Sequence, residues 1–201
     1  MIRILLAEDQ SMVRGALSLL ISSHPELEVA AECSNGREAL LQADLVRPDV
    51  CVLDIDMPEM DGIAATREIL THHPNASVLI VTTFGKAGLL ERAQAAGATG
   101  FIVKDSPVNA LVEAILRVHR GETVIDEELA STSAKVGSNP LSLQEARVLA
   151  MASEGKTVAA IAQILSLAPG TVRNYISASM NKLGATNRIE AAKTAMANGW
   201  L

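Results

Sequence analysis

The feature that most constrains this chain is an alternation, sustained over its first 120 residues, of short apolar runs with segments of helical period. Ile2–Ala7, Glu28–Cys33, Val50–Leu53, Val78–Val81 and Gly100–Val103 read as strands. Met12–Ile21, Arg37–Val46, Ile63–His72, Lys86–Ala96 and Val108–Arg120 read as the helices that follow them. Most of the strand segments are continuous in Val, Ile and Leu, the pattern of strands buried on both faces of a parallel sheet. Parallel neighbours need a crossover long enough to hold a helix. Five such units predict an α/β fold with a doubly wound five-stranded parallel sheet.

The pattern fades after Gly121. The stretch STSAKVGSNP is small and polar, with Gly137, Asn139 and Pro140 as breakers, so residues 121–139 read as a linker, with room for a short helix around Asp126–Ser131. Beyond Pro140 every signal is helical. Ser142 and Glu145 have the spacing of a capping box that opens a helix to Ser153, closed by Gly155. Lys156 or Thr157 starts a short helix to Leu165. Pro169 suits the first turn of a third helix, which runs to Leu183 and stops at Gly184. Asn187 and Glu190 form a second capping-box pattern ahead of a final helix to Ala197.

In an open parallel sheet, ligands bind outside the carboxyl ends of the strands. Those ends carry Glu8 and Asp9 after the first strand, Asp54 and Asp56 after the third, Thr82 at the fourth and Lys104 at the fifth. Crowded carboxylates repel and raise one another's pKa unless a cation sits among them. Hard oxygen donors in that arrangement suit Mg²⁺. A carboxylate beside a metal and a lysine can attack a phosphoryl group, because both cations neutralise the transferring oxygens. Asp54 is the central candidate nucleophile, Asp9 the direct metal ligand and Glu8 a ligand directly or through water. Lys104 would pair with the phosphoryl oxygens and Thr82 would donate a hydrogen bond to one of them.

Glu8-Asp9, VCVLDIDMPEMDG around Asp54, VTTF at Thr82 and GFIVKD at Lys104 together resemble the receiver domains of two-component response regulators, which have a flavodoxin-like fold. The resemblance covers residues 1–120. It implies phosphorylation of Asp54 by a sensor histidine kinase. It also implies Mg²⁺ held by Asp9, Asp54 and the backbone carbonyl of Asp56, and a switch role for Thr82 and Phe101. Glu8 stands where many receivers have aspartate.

The last 60 residues offer a short helix, a brief turn and a helix bearing Arg173 and Lys182 without an acid, the pattern of a helix-turn-helix. Arg173, Asn174 and Tyr175 lie near the start of that second helix, where arginine can read guanine and asparagine adenine. Lys182 and Arg188 suit sequence-blind phosphate contacts. LSLQEARVL and IAQILSLAPGTVRNYISASMNKLGATNRIEA resemble the NarL/FixJ (LuxR-type) DNA-binding domain over residues 140–201. Gln144 and Arg147 stand where that family often has arginine and glutamate, and Ala168 replaces the usual polar cap of the recognition helix.

Charge agrees with two modules. Residues 141–201 hold six basic and three acidic residues, whereas residues 1–140 hold 11 basic and 20 acidic ones. Such asymmetry suggests different partners for the two parts. Aromatics are 2% of the chain, which leaves few rings for stacking on unpaired bases. No apolar stretch approaches the roughly 18 residues of a membrane span. The N-terminal run is too short for a signal peptide. Cys33 and Cys51 match no metal spacing and read as buried thiols in a reducing compartment.

A phosphatase of the haloacid dehalogenase type also begins with an Asp-x-Asp motif. That class needs it near the N-terminus and followed by a later acidic pair, which the sequence does not offer. A receiver locked in one state, binding DNA without phosphate, is the other alternative. The expectation is therefore a cytoplasmic transcription regulator, not an enzyme, that binds double-stranded DNA and dimerises when phosphorylated, with no direct membrane contact.

Overall fold

A computed structural model describes residues 1–83 and 87–201; of residues 87, 108, 128 and 132–135 it describes the backbone alone. Two compact units divide the described residues: 1–83 with 90–132, and 87–89 with 133–201.

The first unit opens with β1 (Ile2–Ala7), α1 (Ser11–Ser22), β2 (Leu27–Cys33), α2 (Gly36–Val46), β3 (Val50–Leu53) and α3 (Gly62–His72). It continues with β4 (Ser77–Thr82), α4 (Ala87–Ala96, whose residues 87–89 group with the second unit), β5 (Gly100–Val103), α5 (Val108–His119) and β6 (Val124–Ile125). The strands form one sheet in the order β2-β1-β3-β4-β5-β6, and every adjacent pair is parallel. All four residues of β3 and the last five of β4 are buried, which explains their unbroken apolar runs. Ile4, Leu6, Val52, Leu79 and Val81 pack against Leu111 and Ile115 of α5 as the core of one face. Each such fully buried aliphatic side chain contributes about 1.5–3 kcal/mol relative to exposure.

The sheet has six strands rather than the expected five. Val124 and Ile125 pair with Gly100 and Phe101, within the stretch read as a linker. A two-residue strand carries no measurable periodicity, so its pairing is set by the neighbouring edge and not by pattern. The same stretch carries α6 (Glu127–Val136), longer than the short helix its polar composition suggested. Helix α4 begins at Ala87; Lys86, the expected first residue, lies outside the described residues, as does Phe84 of the VTTF motif.

The second unit is helical: α7 (Leu143–Ser153), α8 (Val158–Leu165), α9 (Pro169–Lys182) and α10 (Arg188–Ala197). Ser142 and Glu145 form the reciprocal capping box. At α10 only half of the expected box is present. Asn187 accepts from Glu190 N, but Glu190 reaches back to Thr186 N at 2.7 Å and Thr186 Oγ1 at 2.6 Å. Two small cores hold these helices. Val148, Ile161, Val172 and Ile176 join α7, α8 and α9, while Leu149, Ala191, Ala195 and Trp200 join α7 to α10.

Candidate phosphorylation site and helix-turn-helix surface

The strand order makes the site. The chain passes from β1 outward to β2, then back across β1 to β3, so the carboxyl ends of β1 and β3 flank a topological switch point. Ala7 pairs with Leu53, so the next residue of each strand, Glu8 and Asp54, emerges side by side. Asp54 N–H donates to Ala7 O at 2.9 Å, which ties the two ends together. On the other side Thr82 pairs with Val103, and Lys104 N–H donates to Thr82 O at 2.8 Å.

Lys104 Nζ lies 2.6 Å from Glu8 Oε2 and 3.0 Å from Asp54 Oδ2. Glu8 is 1% exposed and Asp54 4%. Asp54 Oδ1 accepts the Ile55 N–H at 2.8 Å, fixing the plane of the carboxylate. Burial pushes both carboxyls above their ordinary range; Lys104 opposes this, and their neighbouring acids, Asp54 for Glu8 and Asp56 for Asp54, add to it. Burial acts to lower the Lys104 ammonium, but its two carboxylate partners outweigh that and raise it. Despite the short distances, neither Glu8 Oε2 nor Lys104 Nζ completes a well-aligned hydrogen bond among the described residues. Both atoms are buried, so the cluster has polar capacity to spare for a ligand.

Glu8, Asp9 and Asp54 each bring a carboxylate oxygen within 4.8 Å of the others. Asp9 is exposed and Asp56 is exposed, so the open side of the cluster faces solvent. Thr82 is fully buried at the end of β4, and Phe101 is 2% exposed in the middle of β5 between Ile80 and Ile125. The structure thus brings together Glu8, Asp9, Asp54 and Lys104, with Thr82 one pairing step from Lys104.

Two supporting residues escaped the reading of the sequence. Arg14 donates from Nη1 to Glu8 O at 2.6 Å, bracing the loop that carries both N-terminal acids. Gly62 lets α3 start against β3: a Cβ there would lie 2.0 Å from Asp54 O. The first is invisible because Arg14 sits on a helix with no motif around it. The second ends the VCVLDIDMPEMDG motif, but its spacing alone does not show that it packs against Asp54.

In the second unit α8 and α9 are joined by a turn through Ser166 in the left-handed region, φ 54°. Val172, Ile176 and Ser179 face inward along α9, so Arg173 and Asn174 point to solvent and Tyr175 is half-buried. Ser177 and Asn181 are exposed with Asn174 at i+3 and i+7; that spacing marks them as members of the same face, though no motif singled them out. Ala168 supplies no side-chain cap at the start of α9, as its identity requires. Arg188 is exposed at the first turn of α10. Lys182 is 42% exposed, but its Nζ lies 2.7 Å from Glu145 Oε2, the oxygen that also accepts Ser142 N–H. Part of its charge is therefore spent inside the unit, and Glu145 is held below the usual carboxylate range, chiefly by Lys182.

A strand-edge acid cluster with a lysine, followed by a helix-turn-helix, defines a class of signalling protein with a DNA-binding output. Residues 4–116 match the family model of the response regulator receiver domain, and residues 139–195 match that of bacterial regulatory proteins, luxR family. The uncharacterized transcriptional regulatory protein YvfU of Bacillus subtilis (strain 168) is 40% identical over 201 residues, covering 100% of each chain. The transcriptional regulatory protein DesR of the same organism is 39% identical over 200 residues, covering 100% of this chain and 99% of that one. Among solved structures, the response regulator ChrA of a heme-sensing two-component system is 30% identical. It covers 100% of this chain and 98% of its own, with a TM-score of 0.59. The chain belongs to the two-component response regulators with a LuxR-type DNA-binding domain. Among the described residues no helix is long and apolar enough to cross a membrane.

Proposed function

We propose that a sensor histidine kinase phosphorylates Asp54, and that the phosphorylated chain dimerises and binds specific double-stranded DNA to control transcription. The observation that carries this reading is the buried cluster of Glu8, Asp54 and Lys104, with Asp9 at its open side, in a chain that also holds a helix-turn-helix.

The donor set fits Mg²⁺: three carboxylates can offer oxygens to one point, and a buried Glu8 oxygen lacks an aligned partner. Asp9 and Asp54, with the backbone carbonyl of Asp56, would hold the ion, and Glu8 would join directly or through water. When bound, the ion neutralises acid repulsion and charge on the incoming phosphoryl oxygens. Asp54 attacks phosphorus in line, the bond to the donor nitrogen breaks, and an acyl phosphate forms while the histidine leaves with its electron pair. Lys104 already stands 3.0 Å from Asp54 and pairs with a phosphoryl oxygen after a small shift. The Thr82 hydroxyl donates to another.

The new charge biases a two-state equilibrium of the β4 and β5 ends in which Phe101 changes rotamer. Dimerisation then sets two α9 helices on neighbouring half-sites. Arg173 and Asn174 read base edges with Tyr175 beside them. Arg188 holds phosphate, and Lys182 adds a weaker phosphate contact because Glu145 shares its charge.

The test compares the native chain with Asp54→Asn for DNA recovered by selection from genomic fragments, with and without kinase and ATP. The reading expects kinase-dependent tightening in the native chain alone. Equal tightening of both proteins would refute it.

A further inference from the structure

Asp126 ties β5, the turn after Lys104 and the first turn of α6 together at one point. Its N–H donates to Phe101 O at 3.0 Å, continuing the short β5–β6 pairing. Its Oδ2 accepts from Ser106 Oγ at 3.2 Å, in the turn that follows Lys104. Its Oδ1 accepts Leu129 N–H at 3.3 Å and its carbonyl accepts Ala130 N–H at 2.9 Å, so the same residue caps α6. Leu129, 2% exposed, anchors the first turn of that helix.

We infer that Asp126 is a positioning residue that carries the state of the phosphorylation site to α6, the helix leading toward the DNA-binding unit. The inference rests on Asp54 being the phosphoacceptor. The route is short and physical. Lys104 forms an ion pair with Asp54 through its side chain and donates its backbone N–H to Thr82 O. Two residues later Ser106 is tied to Val103 O by its N–H and to Asp126 by its hydroxyl. A Lys104 drawn onto a phosphoryl group moves the turn that holds Ser106, and the hydroxyl carries that displacement to Asp126. Phe101 delivers the second input through its carbonyl. Strand β6, with only two paired residues, is held by few bonds and yields before the central strands do. The end of β6 and the cap of α6 therefore respond together.

The experiment is hydrogen–deuterium exchange of the full chain, with and without beryllofluoride and Mg²⁺, the fluoride complex serving as the phosphoryl mimic on the carboxylate. In the native protein the peptides holding Asp54 and Lys104 become protected. The rate across residues 121–136 changes about fivefold or more, the lower range of couplings between sites. In Asp126→Ala and in the milder Ser106→Ala the site peptides respond as in the native chain while residues 121–136 no longer do. Asp126→Asn, whose amide oxygen still accepts the Leu129 N–H and whose amide nitrogen can donate to Ser106 Oγ in reverse, restores the response; a merely structural loss would not be selective in this way. Protection at the site with no change over residues 121–136 overturns the inference, as does a native response in both Ser106→Ala and Asp126→Ala. Absence of any response at Asp54 and Lys104 refutes instead the phosphoacceptor reading beneath it.

Discussion

Replacing Lys104 by methionine leaves two buried carboxylates facing each other without the ammonium now 2.6 Å from one and 3.0 Å from the other. Removing one partner of a buried ion pair costs about 3–5 kcal/mol. The cost has a ceiling, because a carboxyl can take up a proton instead of staying charged. At pH 7 a glutamate forfeits about 3.7 kcal/mol by doing so, roughly 2.7 pH units at about 1.36 kcal/mol each. At pH 5.5 the same step forfeits only about 1.6 kcal/mol. Glu8 and Asp54 already lie above their ordinary range, chiefly through burial, and losing Lys104 raises both further. The folded state then binds protons more tightly than the unfolded chain. Stability is full below the unfolded values and is lost as pH rises through the raised ones. The expected deficit of Lys104→Met is about 3–4 kcal/mol at pH 7, shrinking by about 2 kcal/mol at pH 5.5. Urea unfolding followed by circular dichroism in the presence of a chelator measures it, with amide exchange on β3 and β4 isolating the first unit. A deficit under about 1 kcal/mol that ignores pH would refute the pairing and with it the electrostatic account of the site.

Three further outcomes are expected. A double-mutant cycle on Glu145→Gln and Lys182→Met should give a coupling of about 1–2 kcal/mol, since Glu145 is buried and Lys182 only partly so. Because the Glu145 pKa is depressed, that contribution is present above the ordinary carboxylate range and disappears on acidification through the folded value; thermal unfolding against pH checks both, and additive mutants would contradict it. Gly62→Ala should cost more than about 3 kcal/mol in urea unfolding, because its Cβ would stand 2.0 Å from Asp54 O; a neutral result would show that α3 can slide away at little cost. Arg188→Ala should weaken binding to all duplexes alike and reduce the slope of log affinity on log salt by about 1, while Arg173→Ala changes sequence preference; the reverse pattern in fluorescence titrations would exchange their roles.

The sequence made most of the fold legible where elements are long and periodic. The bounds of β1, β3 and β5 agree with the expected strands residue for residue, because residues 4–7, all of β3 and residues 100–102 are buried on both faces. The capping-box residues Ser142 and Asn187 likewise marked the starts of α7 and α10, whereas the start of α8 lay open between Lys156 and Thr157, and Thr157 is its cap. Strand β6 was hidden, since Val124-Ile125 is too short to carry a period and takes its conformation from the edge of β5. The acids at the strand ends pointed to one edge through topology alone. What no spacing could supply was the third dimension: that Lys104 reaches Glu8 as well as Asp54, that Arg14 braces Glu8 from α1, and that Lys182 turns back to Glu145. Those contacts join residues 6 to 96 positions apart, and each depends on side-chain reach after the backbone has been placed.

Everything functional rests on one carboxylate accepting one phosphoryl group. The direct measurement is intact-mass spectrometry of the native chain and of Asp54→Asn after incubation with a small acyl-phosphate donor, with Mg²⁺ and with a chelator. The native chain should gain the mass of a single phosphoryl group only with Mg²⁺, labile to hydroxylamine as an acyl phosphate is, and Asp54→Asn should gain none. Equal labelling of both proteins, or labelling of the native chain at a hydroxyl that survives hydroxylamine, would contradict the account.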